Sequence, residues 1–150
     1  MNTPDKLYYY SKSKDVVAGK GKNEFVKDMD KYSELNKIKD WRKILSNFHE
    51  YPFTYENKKY NTVEHCFQSQ KIKLVNNDIA YKFTLDSNDN IGKGTGEVAR
   101  KNRKIVILTP EQLLYWDTLK DSIMKKICHS KYLQCNIYKT VIDNTNNAEL

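Results

Sequence analysis

The run Asn61-Thr-Val-Glu-His-Cys-Phe-Gln-Ser-Gln-Lys71 constrains this chain more than any other segment. It sets an acid, an imidazole, an amide and an amine on about three helical turns. Read with a helical period, Glu64, Gln68 and Lys71 fall on one stripe. Val63, Phe67 and Leu74 fall on a second, apolar stripe expected to face the core. Simple ion pairs on a helix surface stand three or four residues apart. Glu64 and Lys71 are seven apart, with Gln68 between them, a spacing that suits groups converging on a small polar ligand. Glu64 has a second possible role. Asn61 followed three residues later by Glu64 matches a capping box, in which Glu64 returns a hydrogen bond to the helix start. The two roles are compatible. A carboxylate in the first turn is favoured as an anion by the helix dipole, which suits a base or cation-stabilising group better than a proton donor.

Composition sets wider limits. The 150 residues suggest one domain with enough length for a core, and the 11 Tyr add apolar area to a hydrophobic content of 39%. No apolar run approaches the roughly 18 residues that span a membrane, and the N-terminus shows no apolar stretch of a secretory signal. The expectation is a cytoplasmic protein with no membrane partner. Cys66, Cys128 and Cys135 lack metal-ligand spacing, and their odd number suggests free thiols in a reducing compartment. Cys66 reads as a small buried hydrophobe. The net charge of +7 fits a phosphate-bearing or nucleic-acid partner, and equally a solvated basic surface. No RRM-like, zinc-finger or helix-turn-helix pattern is visible.

The rest of the chain is readable in outline. Tyr8-Tyr9-Tyr10 is β-prone, and Gly19 to Glu24 is a polar turn that only loosely resembles a phosphate cradle. Apolar residues at Phe25, Met29, Tyr32, Leu35, Ile38 and Trp41 predict a helix from about Glu24 to Lys43, followed by a compact turn, Leu45-Ser-Asn-Phe48. Two short strands flanking Glu56-Asn57-Lys58 predict a hairpin that leads into the Asn61–Lys71 run. Asn76-Asn77-Asp78 breaks that helix, and a short helical or irregular stretch follows from Ile79 to Leu85. Asp86 to Gly96 reads as a loop, and Glu97 to about Lys104 as a short helix. Thr109-Pro110 starts a further helix, with Thr as N-cap and Pro at the first position, and a last helix is expected from about Lys131 to Val141.

Several pieces, in order, resemble the NADAR (YbiA-like) family. These are Tyr9-Tyr10-Ser11, Leu45 to Phe48, Pro52-Phe53, and Thr62 to Lys71 as its (Thr/Ser)-Val-Glu-His-x-x-Gln-x-x-Lys helix. Ala99 to Arg103, Trp116 with Met124, and Lys131-Tyr132 with Gln134 continue the likeness. It covers most of the chain. The Gly19-to-Arg42 stretch looks like an N-terminal elaboration found in a subset of such proteins. The family's closing Asp and Trp-Gly-x-Gly element has no counterpart before Leu150, so a missing C-terminal segment is expected and Asp143 takes no role from the family.

The resemblance implies an α+β fold, a single compact and mostly helical domain with a small β-hairpin, and an N-glycosidase that cleaves a bond between ribose C1 and nitrogen. It implies no metal or organic cofactor. Such cleavage builds oxocarbenium character on the ribose, which a carboxylate near C1 stabilises while activating water. Glu64 is the candidate. Lys71 is the candidate to trap the opened sugar as a Schiff base, although about 10.5 Å of helix rise separates the two. The implied substrate-binding set is Tyr10, Ser46, Asn47, Phe48, His65, Gln68, Arg103 and Trp116. Ser46 and Asn47 suit sugar hydroxyls or simple turn chemistry, Trp116 a base or the core, and Arg103 a phosphate or the open surface. His65, about 100° round the helix from Glu64, suits a hydrogen-bonded buried role at least as well. Three functions follow: hydrolysis of a free ribosylamino-type phosphate or nucleotide-derived glycoside, removal of ADP-ribose from guanine in nucleic acid, or ADP-ribose or nucleotide binding without catalysis.

Overall fold

The computed structural model describes residues 4–150. Their contacts form two compact units, one of Met1–His49 with Asn136–Leu150, the other of Glu50–Cys135. The secondary structure is α+β. Helices dominate, and the described residues contain one two-stranded antiparallel sheet. No described helix is long and apolar enough to cross a membrane.

The first unit holds a 3-10 turn, Met29–Tyr32, and helices α1 (Ser33–Asn36), α2 (Trp41–Leu45) and α8 (Asn136–Asp143), of which α2 and α8 pack together. The continuous helix expected from Glu24 to Lys43 is therefore not formed. Its apolar positions are only partly used: Tyr32, Leu35 and Trp41 are buried, but Phe25 is 74% exposed. Asp40 adopts a left-handed backbone (φ 55°) that separates α1 from α2. Tyr8 to Tyr10 are irregular, and pairing in this region is limited to isolated bridges from Lys6 to Phe25 and Glu149.

The Gly19-to-Glu24 turn has an internal purpose. The Glu24 carboxylate accepts the backbone N–H groups of Tyr8 (2.7 Å), Gly19 (3.0 Å) and Gly21 (3.0 Å). Arg42 grips the same carboxylate with both terminal nitrogens and donates onward to the carbonyls of Tyr8, Val16 and Val17. Gly19 sits at φ 90°, and a Cβ on Gly21 would stand 2.7 Å from Glu24 Oε1. Glycine is required at both positions, in one for its backbone angle and in the other for its lack of bulk. The turn thus does cradle an anion, and the anion is its own Glu24. A second buried bond ties the unit's start to its middle: Tyr32 Oη donates to Asp5 at 2.7 Å, which lowers the Asp5 pKa.

The second unit begins with β1 (Phe53–Tyr55) and β2 (Lys58–Tyr60), joined through Glu56 and Asn57, both left-handed. This is the turn geometry that matches strand twist in a two-residue hairpin. Register pairs Phe53 with Tyr60 and Tyr55 with Lys58. The amide of Gln134 covers the outer edge of β1, accepting from Thr54 N–H and donating to Thr54 C=O, each at 2.7 Å. An edge strand left with bare backbone groups invites mispairing, and this side chain closes it.

Helices α3 (Val63–Ile72), α4 (Asn77–Tyr81), α5 (Asn90–Lys93), α6 (Gly96–Lys101) and α7 (Pro110–Gln134) follow. The loop expected from Asp86 to Gly96 contains α5. The helix from Thr109-Pro110 forms with a full capping box to Gln112 and runs to Gln134, so the last helix starts at Asn136 rather than Lys131. One cluster packs Phe53, Tyr55, Tyr60, Val63 and Cys66 against Ile127 of α7. A second joins Ile72, Ala80, Phe83 and Ala99.

The Glu24–Arg42 pair supplies a stability test. Burial pushes the Glu24 carboxyl up, but the Arg42 and backbone bonds outweigh it and hold the pKa below the usual range. The stabilisation is then full above the unfolded carboxylate pKa of about 4.3 and is lost as pH falls through the lower folded value. Arg42→Ala strands a buried carboxylate and should cost roughly 3–5 kcal/mol in urea denaturation at pH 7. Glu24→Gln should flatten the acid limb of the stability–pH curve.

Candidate functional site

The phase of α3 decides what Glu64 can do. The N-cap is Thr62, whose hydroxyl accepts from His65 N–H at 3.1 Å. Asn61 lies outside the helix, donating its side-chain N–H to Gly94 O (2.9 Å) and Glu50 (3.3 Å). The expected Asn61–Glu64 capping box is therefore replaced. Both Asn and Thr cap well, and the long-range bonds of Asn61 decide between them. Glu64 becomes the second helical residue, one position short of the reach-back place in a capping box.

Released from the cap, Glu64 is 8% exposed and accepts from Gln68 Nε2 at 2.9 Å. Among the described residues Gln68 is its hydrogen-bond partner. Gln68 is 6% exposed, and its Oε1 is buried without a protein donor. A buried acceptor left unmet costs about 1–3 kcal/mol, so a carboxylate and an amide oxygen here favour an incoming N–H or O–H donor. Lys71, on the same stripe, is partly exposed.

His65 is fully buried and both ring nitrogens are engaged, Nδ1 with Thr62 Oγ1 (2.7 Å) and Nε2 with Ile91 O (2.8 Å). A carbonyl only accepts, so Nε2 carries the proton, and Thr62 donates its hydroxyl to Nδ1. Burial lowers the His65 pKa. The ring is a neutral clamp from α3 to α5 with no free polar atom for a substrate, which corrects its place in the binding set.

The other expected residues are spread through the fold. Trp116, on α7, is 3% exposed and packs at 5.1 Å on Phe67 of α3, so one of its neighbours is already an aromatic ring. Arg103, in the turn after α6, is partly exposed and donates to Arg100 O at 3.3 Å. The remaining four belong to the first unit. Ser46 is buried, and its hydroxyl accepts from Phe48 N–H at 3.1 Å, which is turn chemistry. Asn47 and Phe48 are partly exposed, and Tyr10 is 63% exposed. The three cysteines are free thiols, and Cys66 is fully buried with its pKa raised by that burial.

Lys131, outside the expected site set, is fully enclosed. Burial pushes its pKa down to about 8, against a smaller opposing effect of the Cys135 and Cys128 thiols. The available signal was its position four residues after the apolar Ile127, on the buried face of α7. No group of three or more His, Cys, Asp or Glu side chains among the described residues could hold a metal ion. Comparison of the chain with protein-family models, curated proteins and solved structures finds no match.

Two measurements test this account of α3. Thr62→Ala should cost about 1–2 kcal/mol of stability, while Glu64→Gln should cost less than about 0.5; the reverse order would restore Glu64 as the cap. His65 has a folded pKa below its unfolded value of about 6.5. Its contribution is present above that value and lost as pH falls toward the folded pKa. Thermal unfolding should show stability declining below about pH 6.5, with the decline reduced in His65→Gln.

Proposed function

We propose that the chain is an N-glycosidase of NADAR-like type, which hydrolyses a ribose C1–N bond with Glu64 as the central carboxylate. The observation that carries this reading is the Glu64–Gln68 pair: a carboxylate freed from capping beside a buried amide oxygen that lacks a donor. A ribosyl ligand supplies both complements, a hydroxyl for Gln68 Oε1 and a carbon that turns cationic for Glu64.

In this mechanism the C1–N bond breaks with its electron pair leaving on nitrogen. Glu64 stabilises the oxocarbenium-like ribose and takes a proton from water as the water oxygen bonds to C1. The departing nitrogen takes up a proton from solvent, Glu64 returns to solvent the one it took from water, and the sugar is released as a hemiacetal. Gln68 Nε2 holds the carboxylate in place. Lys71 is proposed as the amine that can trap the opened sugar, and Arg103 and Trp116 of the same unit remain proposals for substrate contact.

The net charge of +7 favours an ADP-ribosylated guanine in nucleic acid over a free ribosylamino-pyrimidine phosphate as substrate. Binding without turnover is the alternative from a different class. Single-turnover hydrolysis of both substrates tests the reading. Cleavage of at least one is expected, with Glu64→Gln slower by about 100-fold or more while still folded. Equal rates for wild type and Glu64→Gln, or binding of both substrates with cleavage of neither, would overturn it.

A further inference from the structure

Helix α3 carries a second polar face. At about 100° per residue, Ser69, Gln70 and Lys73 lie across the helix from Glu64 and Gln68. They line a cavity of about 240 Å³ bounded by the β1–β2 hairpin, α3 and α4, all within the Glu50–Cys135 unit.

Tyr60 forms the floor. Its residue is 2% exposed, yet its hydroxyl is poorly served: it accepts from Gln70 Nε2 at 3.4 Å and donates to Ser69 Oγ at 3.5 Å. Hydroxyl bonds centre on about 2.7–2.8 Å, so both contacts are weak. Neighbouring links in the same chain are of ordinary length. Ser69 Oγ donates to Ala80 O at 2.9 Å, and Lys73 Nζ donates to Gln70 Oε1 at 3.1 Å. The network is therefore loose at Tyr60, the buried hydroxyl at the cavity floor. Burial raises the pKa of that hydroxyl, so it remains a donor at neutral pH.

Charge narrows the ligand class. Glu56 and Asp78 balance Lys58 and Lys73 around the opening, in a chain with net charge +7. The lining does not select an anion. Its size suits a small ligand, because pockets that take drug-sized molecules measure roughly 300–1,000 Å³. Tyr81, 43% exposed, adds a flat aromatic face at the rim. Hydroxyls and an amide that alternate as donors and acceptors, a neutral charge balance and one aromatic face together match a single sugar ring.

We propose that this cavity is a binding site for a neutral, polyhydroxylated ligand of single-sugar size, with the Tyr60 hydroxyl, Ser69 and Gln70 reading its hydroxyls and Tyr81 packing on the ring. The site is separate from the Glu64 face and does not depend on the function assigned to that face.

The test is an NMR titration of the whole chain with D-ribose, D-glucose and, as a zwitterionic control, L-serine. At least one sugar should bind with Kd of about 0.1–10 mM, shifting resonances of Tyr60, Gln70 and Tyr81. Tyr60→Phe removes one hydroxyl and should weaken binding about tenfold. Tyr81→Ala, at the exposed rim, should weaken it without unfolding the chain and covers the case in which Tyr60→Phe misfolds. No sugar binding, binding of L-serine alone, shifts centred on Glu64 and Gln68, or binding unchanged in Tyr60→Phe and Tyr81→Ala would each overturn the proposal.

Discussion

The Thr62–His65 interaction sets the start and phase of α3. Thr62 caps the helix through its oxygen and donates its hydroxyl proton to the ring of the residue whose backbone it caps. The same ring donates to Ile91 O, so one imidazole fixes the helix start and joins it to α5. Shifting the cap to Asn61 would rotate the roles of the first turn and engage Glu64 in capping. With Thr62 in that place, the carboxylate is left to Gln68, beside the buried amide oxygen that lacks a protein donor.

The first unit is organised by a similar economy of charge. The Glu24 side chain is buried, and burial alone would drive it toward the neutral acid. Three backbone N–H groups and the Arg42 fork keep it ionised, and Arg42 spends its other donors on carbonyls of the same loop. A segment with little regular structure is thereby held by a charge network in place of a ladder. Such a network is stabilising only when every member is satisfied, which explains why two glycines are needed to bring the backbone close enough.

Local signals were legible wherever local bonds decide. Thr109-Pro110 marked the start of α7 because its cap, ring and capping box lie within four residues. The hairpin was legible from its flanking aromatics, and Asn57 tolerates the left-handed turn that closes it. The helix expected over Glu24 to Lys43 failed because its apolar spacing is real but its ends are not: Glu24 is engaged eighteen residues away by Arg42, and Asp40 turns left-handed. Asn61 and Thr62 are both good caps by type, Asn the better of the two, and the bonds of Asn61 to Glu50 and Gly94 decide against it. The shared stripe of Glu64 and Gln68 was legible from their spacing of four, and their hydrogen bond follows from it; His65 is buried and hydrogen-bonded at both ring nitrogens. The enclosure of Lys131 and the cavity at Tyr60 depend on which helix faces meet, and a single stripe does not encode that.

The central claim is that Glu64 and Gln68 form one ligand-directed pair. A crystal structure of the chain soaked with ADP-ribose tests it most directly. The account predicts a ribose hydroxyl within about 2.6–3.2 Å of Gln68 Oε1 and the anomeric carbon beside the Glu64 carboxylate. ADP-ribose bound elsewhere, with Gln68 Oε1 still lacking a donor, would contradict it.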